Sequence, residues 1–299
     1  MAEHIVDLAA DAAFIEQTEP KSFYYKAARQ LLGKKQAILG FAVLLLLVLA
    51  AVFAEQIAPY DPYKTNYANV KQPPSAAHFI GTDELGRDGF SRLIYGARIS
   101  LMVGVSVSAI STTVGVALGA IAGYFGGVVD MIIMRAVDLF MAFPFLVLAI
   151  ALVAVFGPSL FNMMMALTLL YWIWFARLVR GMVLTLRETE FVVGAKAAGA
   201  SDISIIFRHI LPNVFPVVVV QGSFSVADAI LIAAGLSYLG LGAQPPTAEW
   251  GSMLSNAKEL MRILPVLSIA PGVAIMITVL SINFIGDALR DALDPTLRN

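Results

Sequence analysis

Residues 194–213 read GAKAAGASDISIIFRHILPN, a run of small and charged residues between two long apolar segments. The run predicts two helical pieces. Glu190–Ala198 is rich in Ala and other helix-tolerant residues. Gly199 suits the position just past a helix, where a left-handed backbone closes it. Ser201 suits the N-cap of the next piece and Asp202 its first turn. Ile203, Ile206, Phe207 and Ile210 recur at three-to-four spacing and predict one apolar face. Pro212 suits the start of the apolar helix that follows. Small residues at Gly194, Ala195, Ala197, Ala198 and Gly199 let a partner's backbone come close, and the apolar stripe gives that partner something to bury. This chemistry fits a docking peg and an amphipathic loop on a membrane surface equally well.

The rest of the chain decides the setting. Hydrophobic residues make up 59% and charged residues 14%, with a mean hydropathy of +0.81. A soluble domain carries roughly 45–50% apolar and about 25% charged residues. The excess is too large for one core and calls for lipid. A net charge of -1 argues against nucleic-acid binding. Without cysteine there is no disulfide, zinc thiolate or Cys nucleophile. His4, His78 and His209 are scattered, which disfavours a histidine metal site. The segment before the first apolar run is polar and partly acidic, so no cleavable signal is expected.

Six apolar runs are long enough to span a bilayer: near Gln36–Phe53, Ile99–Tyr124, Val128–Phe156, Leu160–Met182, Pro212–Leu239 and Val266–Ile285. The fold class is therefore an all-α integral membrane protein. An inside N-terminus puts thirteen Lys and Arg on the cytoplasmic side and seven outside, which predicts both termini inside. Four regions follow: a cytoplasmic segment 1–35, a first span with its extracytoplasmic segment 36–98, a core of five spans 99–290 and a tail 291–299. Before the first span, FYYKAARQLLGKK predicts an amphipathic helix on the inner leaflet. Gly115, Gly119 and Gly123 share one helix face and predict close packing within the bundle. Pro144 and Pro271 mark bends within spans. No internal repeat is evident.

Several residues invite a chemistry. Gly194-x4-Gly199 has the outline of a phosphate loop but lacks the Lys that reaches the phosphates, so no nucleotide site is expected. Asp83, Glu84 and Asp88 do not follow calcium-loop spacing and are expected to pair with Arg87 or Arg92 or simply to be solvated. Arg135 and Asp138 are expected to pair with each other. Trp172, Trp174 and Trp250 suit interface anchors, with packing inside the bundle as the alternative for the first two. Asp228 lies within a span, after Gln221, Ser223 and Ser225. An acid there faces a bundle interior or a water-filled path, either lining it or anchoring helices. Asn283 is a weaker candidate for the same surface. No Ser–His pair, paired catalytic acids or metal cluster supports an enzyme.

The opening stretch resembles the coupling loop of binding-protein-dependent ABC importer permeases. That pattern is Glu-Ala-Ala, three residues, Gly, nine residues, Ile, one residue, Leu-Pro. Ala195, Gly199, Leu211 and Pro212 match it, whereas Val193, Gly194 and His209 replace its Glu, first Ala and Ile. Gly81–Asp88 (GTDELGRD), Phe90–Leu101 (FSRLIYGARISL), Gln244–Gly251 (QPPTAEWG) and Asp287–Pro295 (DALRDALDP) resemble the second, shorter permease of dipeptide, oligopeptide and nickel ABC importers. The likeness runs from about Tyr24 to the C-terminus.

The resemblance implies a type I permease fold in a bacterial inner membrane, with a sister permease, two ATPase subunits or domains and an extracytoplasmic binding protein. ATP and Mg would sit on the partners, with no cofactor on this chain, and di- or oligopeptides are the expected substrate. The expected ATPase-coupling residues, within the loop 187–211 and its exit, are Glu190, Val193, Gly194, Ala195, Ala198, Gly199, Ala200, Ser201, Asp202, Leu211 and Pro212. The expected pathway residues are Gln221, Ser225, Asp228 and Asn283. The competing function is a self-contained proton-coupled transporter built around Asp228.

Overall fold

The computed structural model describes residues 33–293. The expected inner-leaflet helix falls almost wholly outside them, as does the tail beyond Leu293. The elements are α1 (Lys35–Val52), α2 (Ala54–Ile57), α3 (Gly89–Phe125), α4 (Gly127–Met141), α5 (Phe145–Phe156), α6 (Leu160–Leu186), α7 (Glu190–Ala197), α8 (Asp202–Ile205), α9 (Leu211–Tyr238), α10 (Trp250–Ala257) and α11 (Pro265–Leu293). Among the described residues the only β pairing is an isolated bridge between Thr82 and Asp88. Five helical rods are long and apolar enough to cross a membrane: α1, α3, α6, the continuous Asp202–Tyr238 and α11. The pair α4 and α5, bent by 91° at its break, is together long and apolar enough for a sixth.

Two span boundaries differ from those the sequence suggests, and the bend expected at Pro144 is present. Helix α3 starts at Gly89, ten residues before Ile99, because Asp88 caps it: its carboxylate accepts from the Ser91 N–H and hydroxyl, both at 2.7 Å. Ser91 and Arg92 are buried against protein, so hydropathy marks the lipid contact and misses the helix start. The third span bends where Pro144 suggested, as two helices, because Pro144 has no N–H to continue α4 and its ring would clash with the preceding turn. The fifth span is not opened at Pro212. A single π turn, Ile206–Ile210, joins α8 to α9 without a break, and Pro212 sits within the first turn of α9.

The most extensive helix contact is between α3 and α6, and glycine permits it. A Cβ on Gly115 would stand 2.5 Å from the Trp172 carbonyl oxygen, and one on Gly119 2.5 Å from that of Ala176. The main core lies beside this seam, with Val103, Val107, Leu167, Leu170, Trp172 and Leu236 buried. Helix α1 packs on α11 through Gly40, where a Cβ would meet the Ser281 carbonyl at 2.7 Å. Its other faces expose Leu39, Phe41, Leu45 and Leu46, as a lipid-facing helix requires.

Side chains also depart from expectation. Trp250 is not an interface anchor: it is 1% exposed, and its indole N–H donates to the Leu93 carbonyl at 2.9 Å. Trp172 is buried and Trp174 exposed. Asp138 pairs with Arg177 of α6 at 2.7 Å, not with Arg135, and Asp130 forms a two-pronged pair with Arg180. Both acids thus tie α4 to α6, because the nearest guanidiniums lie across the helix interface and not along the same helix.

Candidate functional site

Two regions gather the residues singled out above. The first is the α7–α8 connection. Helix α7 ends in a Schellman turn: Ala200 N–H donates to Ala195 O at 3.1 Å and Gly199 N–H to Lys196 O at 3.0 Å. Gly199 has φ +82, with nothing within 4 Å of a Cβ built there. Its requirement is conformational, not spatial. Ser201 caps α8 through its hydroxyl, which accepts from Ser204 N–H. The expected turn is therefore present at the expected residues.

The expected single apolar face is not. Val192, Ile205 and Ile210 are buried together with Val183 and Val214, whereas Ile203 and Phe207 are 70% and 66% exposed. The π turn accounts for this. A periodicity of 3.6 residues groups Ile203 and Phe207 with Ile206 and Ile210, but the extra residue rotates the following turn. The outcome is two apolar faces, one inward and one exposed; Phe191 and Val193 of α7 are exposed as well. Glu190, Gly194, Ala198, Gly199, Ser201, Asp202 and Pro212 are also exposed, and Ala195, Ala200 and Leu211 are half-buried.

This connection is tied to α3. The Tyr124 hydroxyl donates to Asp202 Oδ1 at 2.6 Å, and Arg187 donates to the Gly123 carbonyl at 3.0 Å. Tyr124, Arg187, Val193, Lys196 and Asp202 line one cavity of about 610 Å³. Tyr124 lies in a glycine-rich helix end and carries no sequence signal of this contact.

The second region is the face of α9 carrying Gln221, Ser225 and Asp228, spaced four and three apart. All three line a cavity of about 310 Å³ together with Phe145, Tyr171, Trp174 and Phe175. Ser225 is engaged in a hydrogen bond with Ser108 of α3. Asn283 is on α11 and does not line this cavity. Tyr171 and Phe145 pack edge to face at 5.2 Å and were missed from sequence. The aromatic run Tyr171-Trp-Ile-Trp was the available signal.

Comparison with known proteins decides the assignment. Residues 115–299 match the family model described as binding-protein-dependent transport system inner membrane component. The chain belongs to this permease family. Residues 22–74 of the permease match the N-terminal TM domain of oligopeptide transport permease C. The permease is 45% identical to the dipeptide transport system permease protein DppC of Alkalihalophilus pseudofirmus, over 95% of this chain and 93% of that one. It is 44% identical to the glutathione transport system permease protein GsiD of Pectobacterium atrosepticum, over 91% and 90%. Its fold is similar to a chain of the inward-facing MetNI methionine ABC transporter, with a TM-score of 0.55 at 18% identity, covering 69% of this chain and 97% of that one. The permease is thus a pore subunit of an ATP-driven importer, and family membership sets aside the proton-coupled reading.

At the end of the permease opposite α7–α8, Glu249 caps α10. Its carboxylate accepts from the N–H groups of Gly251 and Ser252, both at 2.9 Å. Burial pushes its pKa above the usual Glu range, against the lowering by these two N–H groups. The folded state therefore holds this proton to higher pH than the unfolded chain does. Stability is lost as pH rises from the ordinary Glu range through the raised value. Thermal unfolding of the solubilised permease at about pH 5 and about pH 8 should show this slope reduced in Glu249→Gln. An identical slope in both would remove Glu249 as its source.

Proposed function

We propose that this permease carries di- or oligopeptides across a bacterial inner membrane as part of a complex with a sister permease, two ABC ATPase subunits and an extracytoplasmic binding protein. ATP and Mg belong to the ATPase chains. Both termini are cytoplasmic in this reading, and the α7–α8 connection faces the ATPases. The observation that carries it is the pairing of a conformationally fixed turn at Gly199 with the exposed Ile203 and Phe207. These apolar side chains need a cover that the described residues do not supply. Glu190, Val193, Gly194, Ala195, Ala198, Ala200, Ser201 and Asp202 frame the contact, and Leu211 and Pro212 carry its motion into α9. The bond from Tyr124 to Asp202 carries it into α3.

Asp228 and Gln221 are assigned to the translocation route, because both face the cavity beside Tyr171. Ser225 serves there as a helix anchor through Ser108. Asn283 sits apart and is retained only as a second site along the route. The peptide substrate rests on the 45% identity to a dipeptide permease, and glutathione is a peptide in the same chemical class.

Uptake of a labelled dipeptide, in cells with and without the permease, tests the substrate; no difference between them would exclude it. Asp228→Asn is expected to change the uptake rate by roughly tenfold while complex yield stays within about twofold. Unchanged uptake would remove Asp228 from the route.

A further inference from the structure

At the end of α3 opposite Tyr124, two arginines share one acid. Asp83 accepts from Arg87 Nε at 2.7 Å and lies 3.7 Å from Arg92 Nε. One terminal nitrogen of Arg92 donates to the carbonyls of Pro62 and Pro246. Arg87 and Arg92 are 6% and 3% exposed, so their charge is largely withdrawn from water. The nearby acids are otherwise engaged: Glu84 pairs with Lys71, and Asp88 with His78 and the α3 cap. Buried charges in proteins are normally paired; here Asp83 is the carboxylate in contact with both guanidiniums, and among the described residues no carboxylate hydrogen-bonds their terminal nitrogens.

The two arginines stand between two cavities and line both. One, of about 220 Å³, also has Asp83 and Glu84 in its wall. The other, of about 170 Å³, has no acid in its wall; beyond the arginines it is lined by Gln244, Thr247, Ser252, Ser255 and Asn256, among others. Among the described residues, the terminal nitrogens of Arg87 and the second one of Arg92 make no hydrogen bond. A planar guanidinium matches a carboxylate through two parallel bonds. The volume equals roughly five to six waters, enough for a carboxylate and a short carbon chain. It falls below the roughly 300–1,000 Å³ that encloses a drug-sized molecule.

We propose that this cavity is a binding site for a small organic carboxylate, which in the peptide reading is the free C-terminus of the transported solute. The site needs only the carboxylate, so it can stand if the peptide reading fails. Exposed Gln244, Pro245 and Asn256 form its rim. In the orientation proposed above it opens on the extracytoplasmic side, so a solute would meet it before the cavity at Asp228.

The test is calorimetric titration of the purified full complex, without binding protein, using propionate against propionamide and Ala-Ala against its C-terminal amide. Each acid should bind at least roughly tenfold more tightly than its amide. Arg87→Gln should abolish that preference. Because Arg87 also holds Asp83, Asn256→Asp is the second variant: it places a carboxylate beside the arginines and should block the probe without disturbing the loop. Equal binding of acid and amide, or unchanged binding in both variants, would overturn the site. If Arg87→Gln weakens association with the binding protein while the complex shows no acid-over-amide preference, the carboxylate belongs to that protein and the small-molecule site is wrong. Binding of propionate without Ala-Ala would keep the site and reject its peptide assignment.

Discussion

Gly199→Val is expected to lower substrate uptake by roughly tenfold or more while leaving the permease at normal levels in the membrane. Gly199 adopts φ +82, a conformation that costs an ordinary residue about 1–2 kcal/mol and a β-branched residue more. No neighbour lies within 4 Å of a Cβ at this position, so the fold itself is not crowded. Val instead moves the backbone away from the left-handed region. The bonds from Ala200 to Ala195 and from Gly199 to Lys196 are then lost, and α7 no longer holds its angle to α8. Asn enters the left-handed region readily, so Gly199→Asn should retain most of the uptake. Equal uptake in the Val variant, measured against quantified membrane protein, would show that the turn does not transmit the ATPase cycle.

The second large effect concerns assembly. Gly119→Val should deplete folded permease from the membrane. The Cβ alone would stand 2.5 Å from the Ala176 carbonyl oxygen and 3.0 Å from the Val179 Cβ. A backbone oxygen in a packed helix cannot turn aside as a side-chain end can, so α3 and α6 must separate. Overpacking of this kind costs about 1–3 kcal/mol, and more where backbone is involved. Separation would also strain the Arg180–Asp130 pair that ties α4 to α6. Gly222→Ala is the matched control: on α9 an added Cβ meets only Thr112 Oγ1, at 3.9 Å, so levels should be unchanged. Normal amounts of Gly119→Val in a fluorescence-detected sizing profile would mean that this seam is looser than the structure indicates.

The membrane spans were legible because lipid exposure writes itself directly into composition. Leu39, Leu45 and Leu46 on α1 are apolar for that reason alone. Features buried against protein were less legible. The start of α3 carries Ser91 and Arg92, which hydropathy assigns to water although both are enclosed. Helix α10 went unforeseen because Trp250 reads as a membrane anchor until its indole is seen on the Leu93 carbonyl.

The turn at Gly199 was readable residue by residue, since capping chemistry is local. The exposure of Ile203 and Phe207 was not, because it depends on a π turn that side-chain spacing does not encode. Asp228 was singled out from its cost within a span, but Tyr171 came into its cavity only through the packing of α6 on α9. The arginine pair was visible as charges near acids. That two guanidiniums share one carboxylate is a matter of distance.

The most direct test of the account places a photo-crosslinking amino acid at Phe207, and as a control at Phe79 on the opposite end of the molecule, in the permease expressed with its native partners. After illumination, the account predicts a covalent adduct between the Phe207 position and an ABC ATPase subunit, identified by mass spectrometry, with none from Phe79. Adducts only to lipid at Phe207, in membranes that still import substrate, would contradict the docking of α7–α8 on the ATPase.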